Sequence, residues 1–362
     1  MTDVVLCLNA GSSSLRIALF AASPGGPQPL ARIAIEHVVD HADHARALDE
    51  AFAQLAGHPA PTLAAHRVVH GGTGHIAPRW VDPALIASLT AVVPLAPLHL
   101  PASLAGIAAL TARRPGLRQL VCFDTAFHAH MPELARRLPV PAELDRQGVR
   151  RYGFHGLSYE SVLSALGPEP PARLVIAHLG NGASLVAVER GCSIDTTMSF
   201  TPTGGIPMGT RTGDLDPGVL LYLARERRLS PDAIARLVEH EGGLVAIGGT
   251  ADMKTLLARA PHDPAAALAV EMFGYAVRKA IGAFAAALGG LDMLVFTGGI
   301  GEHAPVIRAL ACRGLAFAGI QIDEDRNRRN APEIGTGSCA IRVIATDEDL
   351  VLARHALALA AA

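Results

Sequence analysis

Apolar runs that stop at glycine-rich turns recur along the chain, and they predict alternating strands and helices. The pattern is clearest from Val175 to Val188, where the apolar run VIAHL enters a turn of Gly180, Asn181, Gly182, Ala183 and Ser184, and a second apolar run leaves it. Unbroken apolar runs of this kind predict buried strands. The chain opens in the same way, with Asn9, Gly11, Ser12 and Ser14 between the strand-like runs Val4–Leu8 and Leu15–Phe20. A slide of 170 positions pairs Val5 with Val175, Ser14 with Ser184 and Leu15 with Leu185, which predicts related hairpins in the two halves.

Residues 44–56 place Leu48, Phe52 and Leu55 on one helical face. Leu63–Val69 reads as a strand running into Gly71-Gly72, and Pro83–Thr90 as a helix. Arg118–Phe123 reads as a strand that delivers Asp124 at its carboxyl end, where open α/β sheets carry functional residues. Pro94–Pro101, PLAPLHLP, is too proline-rich for regular structure and is expected to be an ordered connection around His99. Later in the chain the pattern predicts helices from Ser158, near 216–226, over 231–239 and over Asp263–Leu288, and Thr196–Gly218 as a polar segment. Met293–Phe296 reads as a strand entering Thr297-Gly298-Gly299-Ile300-Gly301-Glu302 and a helix over Ala304–Cys312. A last strand, Arg342–Ala345, leads through Asp347, Glu348 and Asp349 into a closing helix. The expected division is residues 1–125 plus 349–362 for an N-terminal domain and residues 126–348 for a C-terminal one.

Glycine turns between buried strands leave backbone N–H groups on a concave side, where a phosphate can sit. The turn after Phe296 adds the partial positive charge of a helix N-terminus. A length of 362 residues suits two cores rather than one. The formal charge of −2 gives no electrostatic case for nucleic acid or an anionic membrane, so a small-molecule ligand is expected. Cys7, Cys122, Cys192, Cys312 and Cys339 are scattered and form no C-x-x-C pair, as free thiols in a reducing compartment would be. With no signal-peptide pattern and no apolar stretch of membrane-spanning length, a cytoplasmic protein is expected. His66 and His70 have the spacing of a helical zinc pair, but their surroundings read as a strand and turn without a third ligand.

The stretches LNAGSSSL, HRVVHGG, LAPLH, FDTAFH, RYGFHG, HLGNGASL, FTPTGGIPMGTRTGDLDPG, FTGGIGE and ATDEDL cover almost the whole chain. In this order they resemble the acetokinase family, acetate kinase and its close relatives, of the superfamily that also holds sugar kinases and actin. The resemblance implies an α/β protein of two similar ribonuclease H-like (actin-like ATPase) domains flanking a nucleotide cleft. It implies transfer of the ATP γ-phosphoryl group to acetate, giving acetyl phosphate and ADP, with Mg²⁺ or alternatively Mn²⁺. A carboxylate acceptor arrives deprotonated, so such a site needs no general base; it needs cations and hydrogen-bond donors that let two anions meet.

By the same resemblance Arg67, Asp124, His155 and Arg211 are the catalytic residues, with His155 and Arg211 stabilising the transition state. Arg67, Val69, Leu98, Phe154 and Pro202 would bind the acyl substrate, and Asn9 and Glu348 the metal ion. Arg16, His178, Leu179, Gly180, Asn181, Gly182, Asp252, Lys254, Gly299, Ile300 and Gly301 would bind ATP. For His99 and His178 a structural role weighs as much as a catalytic one. Arg16 stands where many relatives have lysine, and His303 follows GIGE where the family usually has asparagine. Family members are typically homodimers through the C-terminal domain. The alternatives are a propionate or other short-chain acid kinase and, more remotely, a nucleotide-dependent clamp or a phosphohydrolase of the same superfamily.

Overall fold

The structure is a computed structural model that describes residues 3–10, 14–36, 41–97 and 99–362. It divides into two units, Met1–Ala129 with Phe154–Ser161 and Asp347–Ala362, and His130–Gly153 with Val162–Thr346. Phe154–Ser161 lies in the first unit.

In the first unit, β1 (Val4–Ala10), β2 (Ser14–Ala21) and β3 (Gln28–Glu36) form an antiparallel meander. On the other side of β1, β4 (Leu63–Val68) and then β6 (Arg118–Phe123) run parallel to it, and the short β5 (Arg79–Trp80) closes the order β3-β2-β1-β4-β6-β5. The apolar run of β1 is unbroken because both faces of the sheet are covered. Val4, Leu6 and Leu8 pack with Leu48 and Ala51 of the helix His41–Gln54 and with Leu110 of the helix Leu100–Arg113. Val5 and Cys7 point the other way, onto Val351, Leu352 and Ala356 of the closing helix Glu348–Ala361.

The second unit repeats this plan. β7 (Arg173–Leu179), β8 (Ala183–Glu189) and β9 (Cys192–Thr196) form the meander, and β10 (Met293–Thr297) and β11 (Ala340–Val343) run parallel to β7, in the order β11-β10-β7-β8-β9. Both units are mixed α/β domains of the ribonuclease H-like, actin-like kind. Along the helix Pro264–Ala287, Ala266, Ala269, Val270, Phe273, Val277, Ile281 and Phe284 are buried at helical spacing, and Asp263 caps its start by accepting from Ala265 N and Ala266 N.

Several details depart from the sequence pattern. No single slide fits both strands of the repeated hairpin: Leu8 pairs with Ile17, but His178, 170 positions on from Leu8, pairs with Ser184. The second hairpin therefore turns sooner than a uniform slide requires. Pro94–Pro101 is not irregular throughout, because Val93–Leu95 forms a short 3-10 turn and a helix begins at Leu100 with Pro101 in its first turn, where a missing N–H costs nothing. The sequence pattern carries no clear signal for β3, β5, β9 or the helix Leu100–Arg113. Among the described residues no helix is long and apolar enough to cross a membrane.

Burial holds His66, His70 and His128 neutral, pushing each imidazole down to about 4; bonds from Gln119 and the Phe154 carbonyl oppose this at His66 and His128. The unfolded chain binds these protons near pH 6.5, so stability is fully present above that pH and is lost as pH falls towards 4. Asp349, raised to about 6 by burial, and Asp195, also raised by burial, work in the opposite sense, while His75, lowered by burial, adds to the imidazoles. The melting temperature is expected to fall by about 10 °C between pH 7 and pH 5. A flat profile in a pH-jump melting series would mean that these rings are not buried neutral.

Candidate active site

The parallel strands β1, β4 and β6 bring Asn9, Arg67 and Asp124 to one end of the first sheet. Arg67 Nε donates to both Asp124 carboxylate oxygens at 3.1 Å, and Nη2 donates to Oδ2 at 2.7 Å. Arg67 Nη1 lies 3.2 Å from Glu348 Oε2 and 3.4 Å from Asn9 Oδ1, while Asn9 Nδ2 donates to the same Glu348 oxygen at 3.4 Å. Asp124 is wholly buried, and the Arg67 and Glu348 side chains are 17% and 15% exposed. Burial alone would depress the guanidinium, but the Asp124 and Glu348 carboxylates more than offset it and hold its pKa raised. Arg67 is therefore a permanent cation on a rigid mount. Ser103 Oγ, donating to the Arg67 carbonyl at 3.3 Å, ties the helix Leu100–Arg113 to the same strand.

Glu348 opens the closing helix, whose cap is Asp347, accepting from Leu350 N at 3.0 Å and held by Arg32 at 2.5 Å. Among the described residues no three His, Cys, Asp or Glu side chains gather as a metal site. One amide and one carboxylate suit Mg²⁺, which takes few protein ligands and keeps several waters; here the Asn9 oxygen accepts from Arg67 while its nitrogen donates to Glu348, so holding an ion would turn that amide. His66 bonds Gln119 Oε1 at 2.8 Å, and His70 Nδ1 accepts from Gly72 N at 2.9 Å.

His155 joins this end of the unit through its neighbour. A Cβ on Gly156 would lie 2.0 Å from the Asp124 carbonyl oxygen, so only glycine allows the approach. His155 itself is left-handed, with φ 59°, a conformation that costs a non-glycine residue about 1–3 kcal/mol. Phe154 is buried edge-on against His70 with ring centroids 5.5 Å apart, and its carbonyl bonds His128 Nε2 at 3.1 Å. His128 is a buried partner of this segment that the sequence pattern did not single out. Val69 is half-buried one residue past β4, and His99 is the N-cap residue of the helix Leu100–Arg113. Arg16, on β2 opposite Asn9, is exposed. Leu98, Gly11 and Ser12 lie outside the described residues.

In the second unit a cavity of about 850 Å³ is lined by Gly180 and Asn181 on the β7–β8 turn, Asp252, Lys254 and Leu257 on and before the helix Met253–Arg259, and Gly299, Ile300, His303 and Ala304. Leu179, Gly182 and Gly301 do not line it, nor does His178, which pairs with Ser184 in β8 and Thr297 in β10. Asp252 also caps its helix, accepting from Thr255 N at 3.0 Å. Ala251, Met253, Leu257 and Ala304, which the motifs did not mark, supply its apolar wall.

Arg211 stands on a loop tied to the same turn, since Gly209 N donates to the Asn181 carbonyl at 3.0 Å. The loop is closed by Met208 N to Arg211 O at 2.9 Å, and Gly243, at φ +63°, passes so close that a Cβ would lie 2.1 Å from the Met208 carbonyl. Arg211 Nη1 donates to the Pro202 carbonyl at 3.2 Å, which joins two of the expected site residues. Burial lowers its pKa, against the field of Glu239.

Fold and site together place the protein among the kinases built on the actin-like fold. A family model described as the acetokinase family matches residues 31–354. The acetate kinase of Rhodopseudomonas palustris (strain TIE-1) is 44% identical, over 99% of both chains. Among solved structures, the Porphyromonas gingivalis acetate kinase is 32% identical with a TM-score of 0.85, covering 99% of this chain and 100% of its own. A propionate kinase from Francisella tularensis is 33% identical with a TM-score of 0.89, covering 98% and 99%. The chain belongs to the acetokinase family, and its activity is that of an acetate or propionate kinase.

Proposed function

We propose that the protein transfers the γ-phosphoryl group of ATP to acetate, reversibly, giving acetyl phosphate and ADP. An acetate oxygen attacks the γ-phosphorus in line, the bond to the bridging oxygen breaks, and its electron pair leaves on the ADP β-phosphate. The observation that carries this reading is the half-buried Arg67, locked by Asp124 and Glu348, a cation held ready for a carboxylate acceptor that needs no base. Arg67 would hold the acyl carboxylate, with Val69, Phe154 and Pro202 as acyl-binding residues. Arg211 and His155 would donate to the equatorial oxygens as charge develops, and Asp124 would act by fixing Arg67. The cavity at Gly180–Asn181 and Gly299–Ile300 would take the nucleotide, with Asp252 and Lys254 on the adenosine side. Asn9 and Glu348 would hold Mg²⁺, which neutralises charge on the phosphate oxygens when bound.

A homodimer through the second unit belongs to the same reading, supported by the exposed Leu221, Tyr222, Leu268 and Tyr275. So does a cytoplasmic location, supported by five free cysteines. The test is trapping of acyl phosphate as hydroxamate from ATP and Mg²⁺ with acetate, propionate or butyrate in parallel, alongside phosphate release without acid. Acetate is expected to give the largest kcat/KM, with propionate within about 10–200-fold, because one methylene in a small pocket discriminates by no more. Phosphate release without acyl phosphate would overturn the kinase reading, and a larger propionate value would move the assignment to that acid.

A further inference from the structure

Arg308 is wholly buried in the helix Pro305–Cys312, and among the described residues no carboxylate lies within ion-pair range of it. A guanidinium has five N–H donors, and here neutral oxygens take them all. Nε donates to Asn327 Oδ1 at 2.8 Å, Nη1 to the carbonyls of Gly301 at 2.7 Å and Glu302 at 3.0 Å, and Nη2 to the Asn327 carbonyl at 2.8 Å and Asn330 Oδ1 at 2.6 Å. Burying a cation without a counter-ion is costly even when its donors are satisfied, and the acceptors show which parts of the fold this one ties together. Gly301 and Glu302 close the short helix Gly298–His303, whose Gly299, Ile300 and His303 line the second unit's cavity. Their carbonyls are the negative end of that helix, a natural partner for a cation. Asn327 and Asn330 lie on and just after the helix Glu324–Arg328, away from the cavity, and Asn327 Nδ2 also donates to the Pro305 carbonyl at 2.9 Å.

We infer that Arg308 is a positioning residue for nucleotide binding: its planar fork clips the glycine wall of the cavity to the 324–330 segment and sets the wall's place. This rests on the reading of that cavity as the nucleotide site. Arg308 does not touch the nucleotide; it acts through the backbone of Gly301 and Glu302.

The discriminating variant is Arg308→Lys, which keeps the charge but offers three donors on a flexible stem that cannot span the fork's partners. The expected result is a rise of about tenfold in KM for ATP and in the calorimetric Kd for ADP, the scale of one or two lost charge-assisted hydrogen bonds, with KM for acetate unchanged. Asn330→Gly removes one acceptor while keeping the left-handed backbone that Asn330 adopts at φ 51°, and should shift the ADP Kd the same way by less. A lowered melting temperature with an unchanged ADP Kd in Arg308→Lys would overturn the inference, as would equal effects on both KM values. Should that variant fail to fold, an unchanged Kd in Asn330→Gly would overturn it. Wild-type protein that binds no ADP would instead overturn the nucleotide reading of the cavity, and this inference with it.

Discussion

Alanine at Arg211 is expected to lower kcat by about a hundred- to a thousandfold, the cost of removing one well-placed donor to developing charge, while the protein remains folded. The loop that carries it is held by backbone bonds that do not involve its side chain: Met208 N to Arg211 O, Gly209 N to Asn181 O and Leu244 N to Met208 O. Truncation therefore removes the guanidinium and leaves its mount. Arg211→Lys should recover only part of the loss, since an ammonium cannot reproduce the planar fork. The measurement is kcat and KM in the hydroxamate assay beside a circular dichroism melt. Near-normal turnover of a folded Arg211→Ala protein would remove Arg211 from the reaction.

Asp124→Ala is expected to act on stability and turnover together. The Asp124 carboxylate accepts three bonds from Arg67 and is wholly buried, so its loss leaves a largely buried guanidinium without those partners, and among the described residues Glu348 remains in ion-pair range. Breaking one side of a buried pair costs about 3–5 kcal/mol. The partial compensation by Glu348 puts the expected loss at the lower end, and urea unfolding would read it. Asp124→Asn keeps the shape and should cost less in stability, yet it should still lower kcat, because the amide cannot hold Arg67 in the same bidentate grip. An Asp124→Ala protein within about 1 kcal/mol of wild type would show that the cluster behaves like an exposed pair.

Both predictions depend on residues whose neighbours are remote in sequence, and this marks how far the chain could be read. The motifs singled out Arg67, Asp124, Asn9 and Glu348, and the structure brings these four into one hydrogen-bonded cluster. The motifs could not say that Asp124 grips Arg67 from both oxygens, because such geometry depends on two strands and a loop meeting. For the cavity, Gly180, Asn181, Asp252, Lys254, Gly299 and Ile300 carried a signal, whereas Leu257 and Ala304 did not, since an apolar residue at a helix face looks the same whether it lines a cavity or a core. Arg308 was invisible for a similar reason. Arginine in a helical pattern reads as exposed, and only the folded chain surrounds it with carbonyl and amide oxygens.

What the sequence by itself determined is local. Unbroken apolar runs ending at glycine specified the paired strands, helical spacing with Asp263 and Pro264 at its start specified the long helix, and the strand Arg118–Phe123 specified where Asp124 would emerge. These follow from backbone periodicity and capping, which act over a few residues. Tertiary structure alone decided the unequal hairpin registers, the membership of Phe154–Ser161 in the first unit, the approach of Gly156 to Asp124 beside the strained His155, and the burial of Arg308. Each is set by which distant surfaces pack together and by the desolvation that packing imposes, quantities that no local pattern of residues contains.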